Sequence, residues 1–130
     1  MAFVIDTNVA IYLRDGHPLV TSRIAELGSG IVLSIITQVE LEGGVYRDFS
    51  QAAVRRSRLD AILATFPILD FDASCAEAYR QIVGAAGYPR RKVLDRMIAA
   101  QAIAHRAHLV TMNAADFRDI PGLSLIEWQV

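Results

Sequence analysis

Cysteine is almost absent from this chain of 130 residues, with Cys75 as its single instance. No intrachain disulfide can form, and a zinc site built from several thiolates is excluded. We interpret Cys75 as a small apolar side chain that fills space in the core. A chain of this length with 53% hydrophobic residues can build one domain with its own core, so we expect a single domain over residues 1–130.

Long apolar runs are also missing. No stretch approaches the roughly 20 apolar residues of a membrane-spanning helix. The first residues, MAFVIDTN, carry no charged start and no apolar run long enough for a signal peptide. We therefore expect a cytoplasmic protein with no membrane contact.

Neither sign of charge dominates, because 13 basic and 14 acidic residues leave a formal net charge of −1. This balance argues against a uniformly basic nucleic-acid-binding surface but allows a local basic patch. Lysine occurs once, at Lys92. A phosphoacceptor protein of the α/β class would need paired acids after its first strand and a lysine late in the chain. The sequence IDTN offers one acid, which makes this alternative weak.

The chain does contain apolar, β-branched segments that alternate with segments of helical period. We predict strands at residues 2–5, 31–36, 68–71, 108–111 and 123–128. We predict helices at residues 9–14 and 19–27, from a cap at Thr37 through Val45, at residues 50–66, from a cap at Asp72 or Ser74 to breakers at Gly84, Gly87 and Pro89, and at residues 93–107. Gly43-Gly44 interrupts the helix after Thr37, either as a simple break or as a place of close backbone approach across an interface. This alternation predicts an α/β fold in which helices surround a mostly parallel sheet.

Four carboxylates stand close to the predicted strand ends or on an apolar helix: Asp6, Glu40, Asp95 and Asp116. Each has a structural explanation by itself, as a helix cap, a solvated helix residue, a first-turn residue favoured by the helix dipole, or a turn residue. In open parallel sheets, however, ligands bind at the carboxyl ends of the strands. If the strands are adjacent, all four side chains converge on one edge.

Such a cluster is costly, because the carboxylates repel one another and are partly removed from water. A divalent cation offsets that cost, and ligands that are all oxygen suit Mg²⁺ or Mn²⁺ rather than zinc. The ion can lower the pKa of a bound water molecule and stabilise charge on a phosphoryl group during its transfer. The residues therefore predict metal-dependent hydrolysis of phosphodiester bonds.

Four segments carry a family resemblance: VIDTNVAIYL, SIITQVELEGGV, VLDRMIAAQAIA and LVTMNAADF. In this order they resemble the four motifs of PIN-domain ribonucleases, and most of all those of the VapC toxins of bacterial type II toxin–antitoxin pairs. The likeness extends over DFDASCAEAY and IPGLSLIEW to almost the whole chain. It implies a three-layer α/β/α sandwich, an endoribonuclease dependent on Mg²⁺ or Mn²⁺, an RNA substrate, and a homodimer bound by a VapB-type antitoxin.

The resemblance also implies roles for individual residues. Asp6 matches the aspartate of the Asp-Thr-Asn motif, and Glu40 the glutamate of Thr-x-x-Glu-Leu. Asp95 matches the aspartate before Ile-Ala-Ala, and Asp116 that of Asn-x-x-Asp-Phe. These four would be the catalytic residues and metal ligands. The polar residues that would orient the carboxylates or water are Thr7, Asn8, Ser34, Thr37 and Asn113.

Three basic groups bear on substrate binding. The run Arg90, Arg91 and Lys92 directly precedes the Asp95 helix and would hold RNA phosphates at the rim of the acidic site, or else form a solvated loop. The arginines of residues 55–58 are interpreted as a solvated helix face, with RNA or antitoxin contact as the lesser alternative. Arg96 departs from the family pattern by adding a cation beside the site.

Two other functions stay open at this stage. One is a PIN-fold nuclease of housekeeping RNA or DNA processing, although a chain this short without an added RNA-binding domain favours the toxin. The other is a non-enzymatic binding module on the same fold. The presence of all four carboxylates argues against such a module.

Overall fold

The computed structural model describes residues 1–130 and has a five-stranded sheet at its centre. The strands are Phe3–Ile5 (β1), Ile31–Ser34 (β2), Ile68–Leu69 (β3), His108–Thr111 (β4) and Ser124–Glu127 (β5). They lie in the order β3-β2-β1-β4-β5, and each neighbouring pair is parallel. The predicted parallel sheet is confirmed.

Six helices cover this sheet. They are Thr7–Arg14 (α1), Pro18–Leu27 (α2), Ile35–Val45 (α3), Ala52–Thr65 (α4), Ala73–Ala86 (α5) and Val93–Ala104 (α6). Three short 3-10 turns complete the chain, at Phe49–Gln51, Arg90–Lys92 and Ala114–Asp116. Measured by length and hydropathy together, none of the helices is suited to crossing a bilayer.

Side chains of the central strands alternate between two hydrophobic cores. Val4 and Leu109 belong to the core shared with α5 and α6, whereas Ile5 and Val110 belong to the core shared with α1 to α4. This alternation follows from the two-residue period of a strand, which sends successive side chains to opposite faces. The sheet is therefore covered on both faces, and the three-layer α/β/α sandwich is confirmed.

The predicted start of α3 and the predicted end of α6 were wrong, and β3 ends at Leu69 rather than at residue 71. Strand β2 ends at Ser34 rather than Ile36, because the Ser34 hydroxyl accepts a hydrogen bond from the Ile36 amide at 2.9 Å and begins α3 before Thr37. Helix α6 ends at Ala104 rather than at residue 107. There Arg106 has a φ of 53°, and the amide of Ala107 bonds back to the carbonyl of Ala102, which is the Schellman ending of a helix.

Glycine was a poor guide to helix ends in this chain. Gly43 and Gly44 do not interrupt α3, which continues to Val45, and Gly84 lies within α5. Helix α5 ends where Gly87 has a φ of 80°, a conformation that costs glycine little. A glycine inside a helix weakens it by about 1 kcal/mol, and packing against neighbouring elements can outweigh that.

The strand order fixes where a ligand can bind. From β1 the chain moves outward to β2 and β3, and it then crosses to β4 on the other side of β1. The carboxyl ends of β1 and β4 therefore form a topological switch point, where open α/β sheets bind their ligands. Asp6 directly follows β1 and donates its amide to the Val110 carbonyl at 3.0 Å. Asp116 lies in the segment that follows β4.

Candidate active site

A cleft of about 380 Å³ opens at this switch point. It is lined by Asp6, Thr7, Asn8, Ile11, Arg14, Asp15, Glu40, Leu41, Gly44, Arg47, Arg55, Asp95, Asn113, Asp116 and Phe117. The lining contains all four carboxylates of the predicted site and three of the five predicted supporting residues. Only three of the lining residues are hydrophobic, so the cleft suits a charged ligand.

Asp6 is the most buried of these carboxylates, with 4% of its surface exposed. It caps α1, because Oδ1 accepts the Val9 amide at 2.9 Å, and Oδ2 accepts the Thr111 hydroxyl at 2.5 Å. Burial raises the pKa of Asp6 above its usual value, hydrogen bonds oppose the rise, and the nearby Glu40 charge adds to it. Asp6 is thus held in one orientation with its negative charge partly uncompensated.

Glu40 is oriented by a chain of two hydroxyls. The Thr7 hydroxyl donates to Glu40 Oε1 at 2.6 Å, and Thr7 Oγ1 lies 3.0 Å from Thr37 Oγ1. A hydroxyl has one hydrogen to donate, so Thr37 must donate to Thr7 when Thr7 donates to Glu40. Thr37 is fully buried, and it therefore acts on the carboxylate through Thr7.

Asp95 lies in the first turn of α6, and the other three carboxylates affect its pKa. Its pKa is raised to about 6, first by desolvation and then by the charges of Asp6, Glu40 and Asp116, while Lys92 lowers it. Because each of the three raises it, the four side chains form one electrostatic site. The carboxylate on the apolar helix therefore belongs to the cleft.

Thr111 was not identified by sequence analysis, yet it connects two parts of the site. Its hydroxyl donates to Asp6 and accepts the Asn113 amide at 3.0 Å. It thereby ties the end of β1 to the segment that carries Asn113 and Asp116. A usable signal was present, since Thr111 is the last residue of a buried strand and stands two residues before Asn113.

The donor set has the chemistry of a hard-cation site. The four predicted carboxylates line the cleft together with Asn8 and Asn113, and a fifth carboxylate, Asp15, pairs with Arg14. Oxygen ligands of this kind suit Mg²⁺ and Mn²⁺. No three acidic, histidine or cysteine side chains are drawn together into a closed metal cage. Mg²⁺ does not need one, because it keeps several waters and is bound through one or two carboxylates directly. The residues therefore fit such an ion.

Ser34 does not orient a carboxylate, contrary to the prediction. It is fully buried, it caps α3, and its hydroxyl donates to Gln101 Oε1. The Gln101 amide in turn donates to the carbonyls of Leu69 and Asp70 at 3.0 and 3.1 Å. Because Ser34 points into this network, it joins β2 to α6 and β3 instead of facing the cleft.

The basic residues considered in the sequence occupy two different places. Arg90, Arg91 and Lys92 form a 3-10 turn outside the lining of the cleft, although Lys92 is near enough to lower the pKa of Asp95. Arg96 does not add a cation to the site. It is 2% exposed and donates to the Gly87 carbonyl at 2.5 Å and to Asp119 at 2.9 Å, which directs its guanidinium away from the cleft.

Instead, the cations in the cleft are Arg14, Arg47 and Arg55. Arg55 was interpreted as part of a solvated helix face, and Arg14 and Arg47 were not singled out. They come from α1, from the segment after α3, and from α4. No local sequence pattern links these three positions, because only the packing of the helices brings them together.

The chain matches known proteins over nearly its whole length. The PIN domain matches residues 3–123. Ribonuclease VapC2 of Rickettsia felis is 32% identical over 135 residues, covering 98% of each chain. The tRNA(fMet)-specific endonuclease VapC of Shigella flexneri is 28% identical over 132 residues, again covering 98% of each chain.

Solved structures agree with this match. VapBC2 of Rickettsia felis, bound to a DNA fragment from its promoter, superposes with a TM-score of 0.87 at 30% identity, covering 99% of this chain and 100% of that one. DNA-bound VapBC of Salmonella typhimurium gives a TM-score of 0.88 at 26% identity and covers 99% of both chains. With its sandwich fold and its acidic cleft at the switch point, the chain belongs to the PIN-domain family, among the VapC proteins.

Proposed function

We propose that the protein is a metal-dependent endoribonuclease and acts as the toxin of a toxin–antitoxin pair. The observation that carries the proposal is the convergence of four carboxylates in one cleft of a PIN fold, where three of them raise the pKa of the fourth, Asp95. Relatives named as ribonucleases and as a tRNA(fMet)-specific endonuclease support an RNA substrate. The first substrate to test is therefore tRNA(fMet).

The proposed cofactor is Mg²⁺ or Mn²⁺, held by Asp6, Glu40, Asp95 and Asp116. When bound, such an ion would polarise the phosphoryl group and water for hydrolysis of the phosphodiester bond. The protein's own contribution is to keep the oxygen donors in place, through Thr111 on Asp6 and through Thr7 on Glu40. Asn8 and Asn113 add neutral polar groups to the lining, which can position water or an RNA oxygen without adding charge.

The proposed partner is a VapB-type antitoxin. The solved structures that resemble this chain include VapBC complexes from Rickettsia felis, Salmonella typhimurium and nontypeable Haemophilus influenzae. This likeness favours the toxin over a housekeeping PIN nuclease. The proposal includes a homodimer, to be checked by the molar mass of the purified protein in solution, and a cytoplasmic site of action, where transfer RNA resides.

Induced expression in a bacterium tests the proposal, with the parent chain beside Asp6→Ala. The parent is expected to stop growth and to create new RNA ends, and Asp6 is chosen for removal because it is the carboxylate of the site that two hydrogen bonds hold in place. The Asp6→Ala protein should do neither, and co-expression of the VapB-type antitoxin should restore growth to cells with the parent. RNA ends are mapped by sequencing, and soluble yield checks the fold of the variant.

Three outcomes would count against the proposal. If the parent neither slows growth nor creates ends that are absent from the variant, the toxin assignment fails. If the purified variant cleaves RNA as fast as the parent, the carboxylate site is wrong. If the parent cleaves a defined RNA without affecting growth, the housekeeping nuclease becomes the better assignment.

Thr111→Val is expected to lower RNA cleavage by about 10- to 100-fold, a typical loss when a group that orients a metal ligand is removed. The change keeps the shape of the side chain but removes the hydroxyl that donates to Asp6, so the pKa of Asp6 should rise further. Cleavage rates and carboxyl NMR titration measure the two effects. Thr65→Val is the matched control, because the Thr65 hydroxyl bonds only the Ala61 carbonyl on α4. Equal losses in both variants would contradict the role of Thr111.

A further inference from the structure

Two arginines meet at one glycine on the wall of the acidic cleft. The Arg55 guanidinium donates to the Gly44 carbonyl at 2.9 Å. A Cβ atom added to Gly44 would lie 3.2 Å from Arg14 Nη1, so the bare backbone leaves room for that guanidinium. All three residues line the cleft, and both cations therefore stand against the same turn of α3.

Part of the donor capacity of these cations is unused within the protein. Arg14 is 5% exposed and uses Nε and Nη2 on the neighbouring Asp15, whereas Nη1 has no acceptor. Neither Arg47 nor Arg55 forms an ion pair. Guanidinium groups that stand together repel one another unless an anion lies between them. Asp15 neutralises Arg14 in part, whereas Arg47 and Arg55 keep donors that an anion from outside the protein could accept.

The summed charge of the cleft is also compatible with an anionic ligand once a divalent cation is bound. Five carboxylates and three guanidinium groups line it, which leaves a formal charge of −2. One divalent cation would cancel that charge, after which a strand of phosphodiesters is no longer repelled. The arginines then offer forked donors that match phosphate oxygens.

The spacing of Glu40 and Gly44 on α3 shows how near the arginines are to the predicted metal ligands. Glu40 and Gly44 are four residues apart on α3, so they share one face of the helix and are separated by about 6 Å along its axis. A phosphate held against Gly44 would therefore be a close neighbour of a phosphate at Glu40. A nucleic-acid strand has successive phosphates at a separation of this order.

We propose that Arg14, Arg47 and Arg55 form a phosphate-binding subsite that holds the RNA backbone next to the bond to be cut. This inference rests on the proposed ribonuclease function and deepens it, because it gives the strand a path across the Gly44 turn of α3. It moves the substrate contact from Arg90, Arg91 and Lys92, which lie outside the cleft lining, to three arginines within it. These arginines are positioning residues for the substrate.

Equilibrium binding of a short fluorescent oligoribonucleotide tests the subsite, in Asp116→Asn protein so that the probe stays intact, with Mg²⁺ present. Arg47→Gln and Arg55→Gln are each expected to weaken binding by about 3- to 10-fold. Each should also reduce the slope of log affinity against log salt by about one, measured over roughly 50 to 200 mM salt, since each removes one phosphate contact. The matched control is Arg58→Gln, which removes an equal charge from α4 outside the cleft.

The position of the phosphate is tested with probes in which one linkage beside the cleaved bond is an uncharged methylphosphonate. In the Asp116→Asn protein, where Arg55 is intact, the methylphosphonate at one of the two linkages that flank the cleaved bond should weaken binding by about 3- to 10-fold. In Arg55→Gln the same substitution should cause little further loss, because the arginine and the phosphate charge act as a pair. Losses that simply multiply, for both flanking positions, overturn the assignment.

Cleavage kinetics separate this inference from the proposed function. In the catalytically intact protein, Arg47→Gln should raise KM with little change in kcat, since it removes binding rather than chemistry. If the parent cleaves RNA but neither arginine change alters affinity or salt slope beyond Arg58→Gln, the subsite is wrong and the ribonuclease assignment stands. If binding depends on the arginines but no RNA is cut, the subsite stands and the ribonuclease assignment fails. A parent that binds no RNA overturns both.

Discussion

Asp95→Asn is expected to reduce RNA cleavage by at least about 100-fold and to make the folded protein more stable at neutral pH when divalent cations are withheld. The loss of activity follows from removing a proposed metal ligand, which should cost more than the 10- to 100-fold typical of groups that only orient ligands. The gain in stability follows from removing a charge that its neighbours disfavour. Functional sites often have this opposition between stability and activity.

The sign of the stability effect comes from the pKa. Folding raises the pKa of Asp95 from its ordinary 3.8 to about 6, because desolvation and three other carboxylates disfavour its charge. The folded protein therefore binds this proton more tightly than the unfolded chain does. The parent loses stability as the pH rises from about 4 to about 6, and the penalty stays constant above that.

An asparagine at position 95 carries no such penalty. One pKa unit corresponds to about 1.4 kcal/mol, and solvent screening of this partly exposed side chain reduces the effect, so we expect a gain of about 1 kcal/mol. For a domain of this size the melting temperature should rise by about 4 °C. Calorimetry at pH values from about 4 to 7 measures it, and the advantage of the variant should shrink toward the acidic end.

The matched control is Glu77→Gln, which removes a carboxylate from α5 that pairs with Arg80 instead of other carboxylates. That change should not raise the melting temperature, and cleavage should be unaffected. If Asp95→Asn destabilises the metal-free protein at neutral pH as much as at pH 4, burial and the three other carboxylates do not disfavour the charge of Asp95. Retained cleavage in Asp95→Asn would remove it from the catalytic set.

Mg²⁺ is expected to stabilise the parent by about 2.7 kcal/mol at a concentration one hundred times its dissociation constant, as for any ligand that binds only the folded state. The cation offsets the desolvation of Asp95 and cancels its repulsion with Asp6, Glu40 and Asp116, the two effects that raise the pKa of Asp95. Melting curves across a Mg²⁺ titration measure the effect, and Mn²⁺ should act in the same way.

Acidic pH should weaken this stabilisation. A carboxylate must lose its proton before it can bind a metal, so the Mg²⁺ affinity should fall as the pH drops through about 6, where Asp95 takes up its proton in the metal-free protein. Asp95→Asn should respond to Mg²⁺ far less than the parent, whereas Glu77→Gln should respond equally. A melting temperature that ignores Mg²⁺ in the parent would contradict the proposed cofactor.

Where sequence interpretation failed, tertiary packing outweighed a local preference. The pair Gly43-Gly44 left a break and a close approach open, and α3 continues through it. A Cβ atom on Gly44 would lie 3.2 Å from Arg14 Nη1, so the absence of a side chain there makes room for Arg14. Ser34 matched a polar position of the family pattern, but its hydroxyl is committed to Gln101 and to the cap of α3. Local propensities amount to about 1 kcal/mol, which a single buried contact can exceed.

The sequence by itself determined the class of fold and four of the five carboxylates of the cleft. Alternating strands and helices admit few arrangements other than helices around a parallel sheet, and residues just after such strands must meet at one edge. The tertiary structure alone decided the partners: Thr111 on Asp6, Thr7 on Glu40, and three arginines from different elements on the cleft wall. Those contacts depend on how helices pack and where side chains point, and no periodicity in the sequence encodes either.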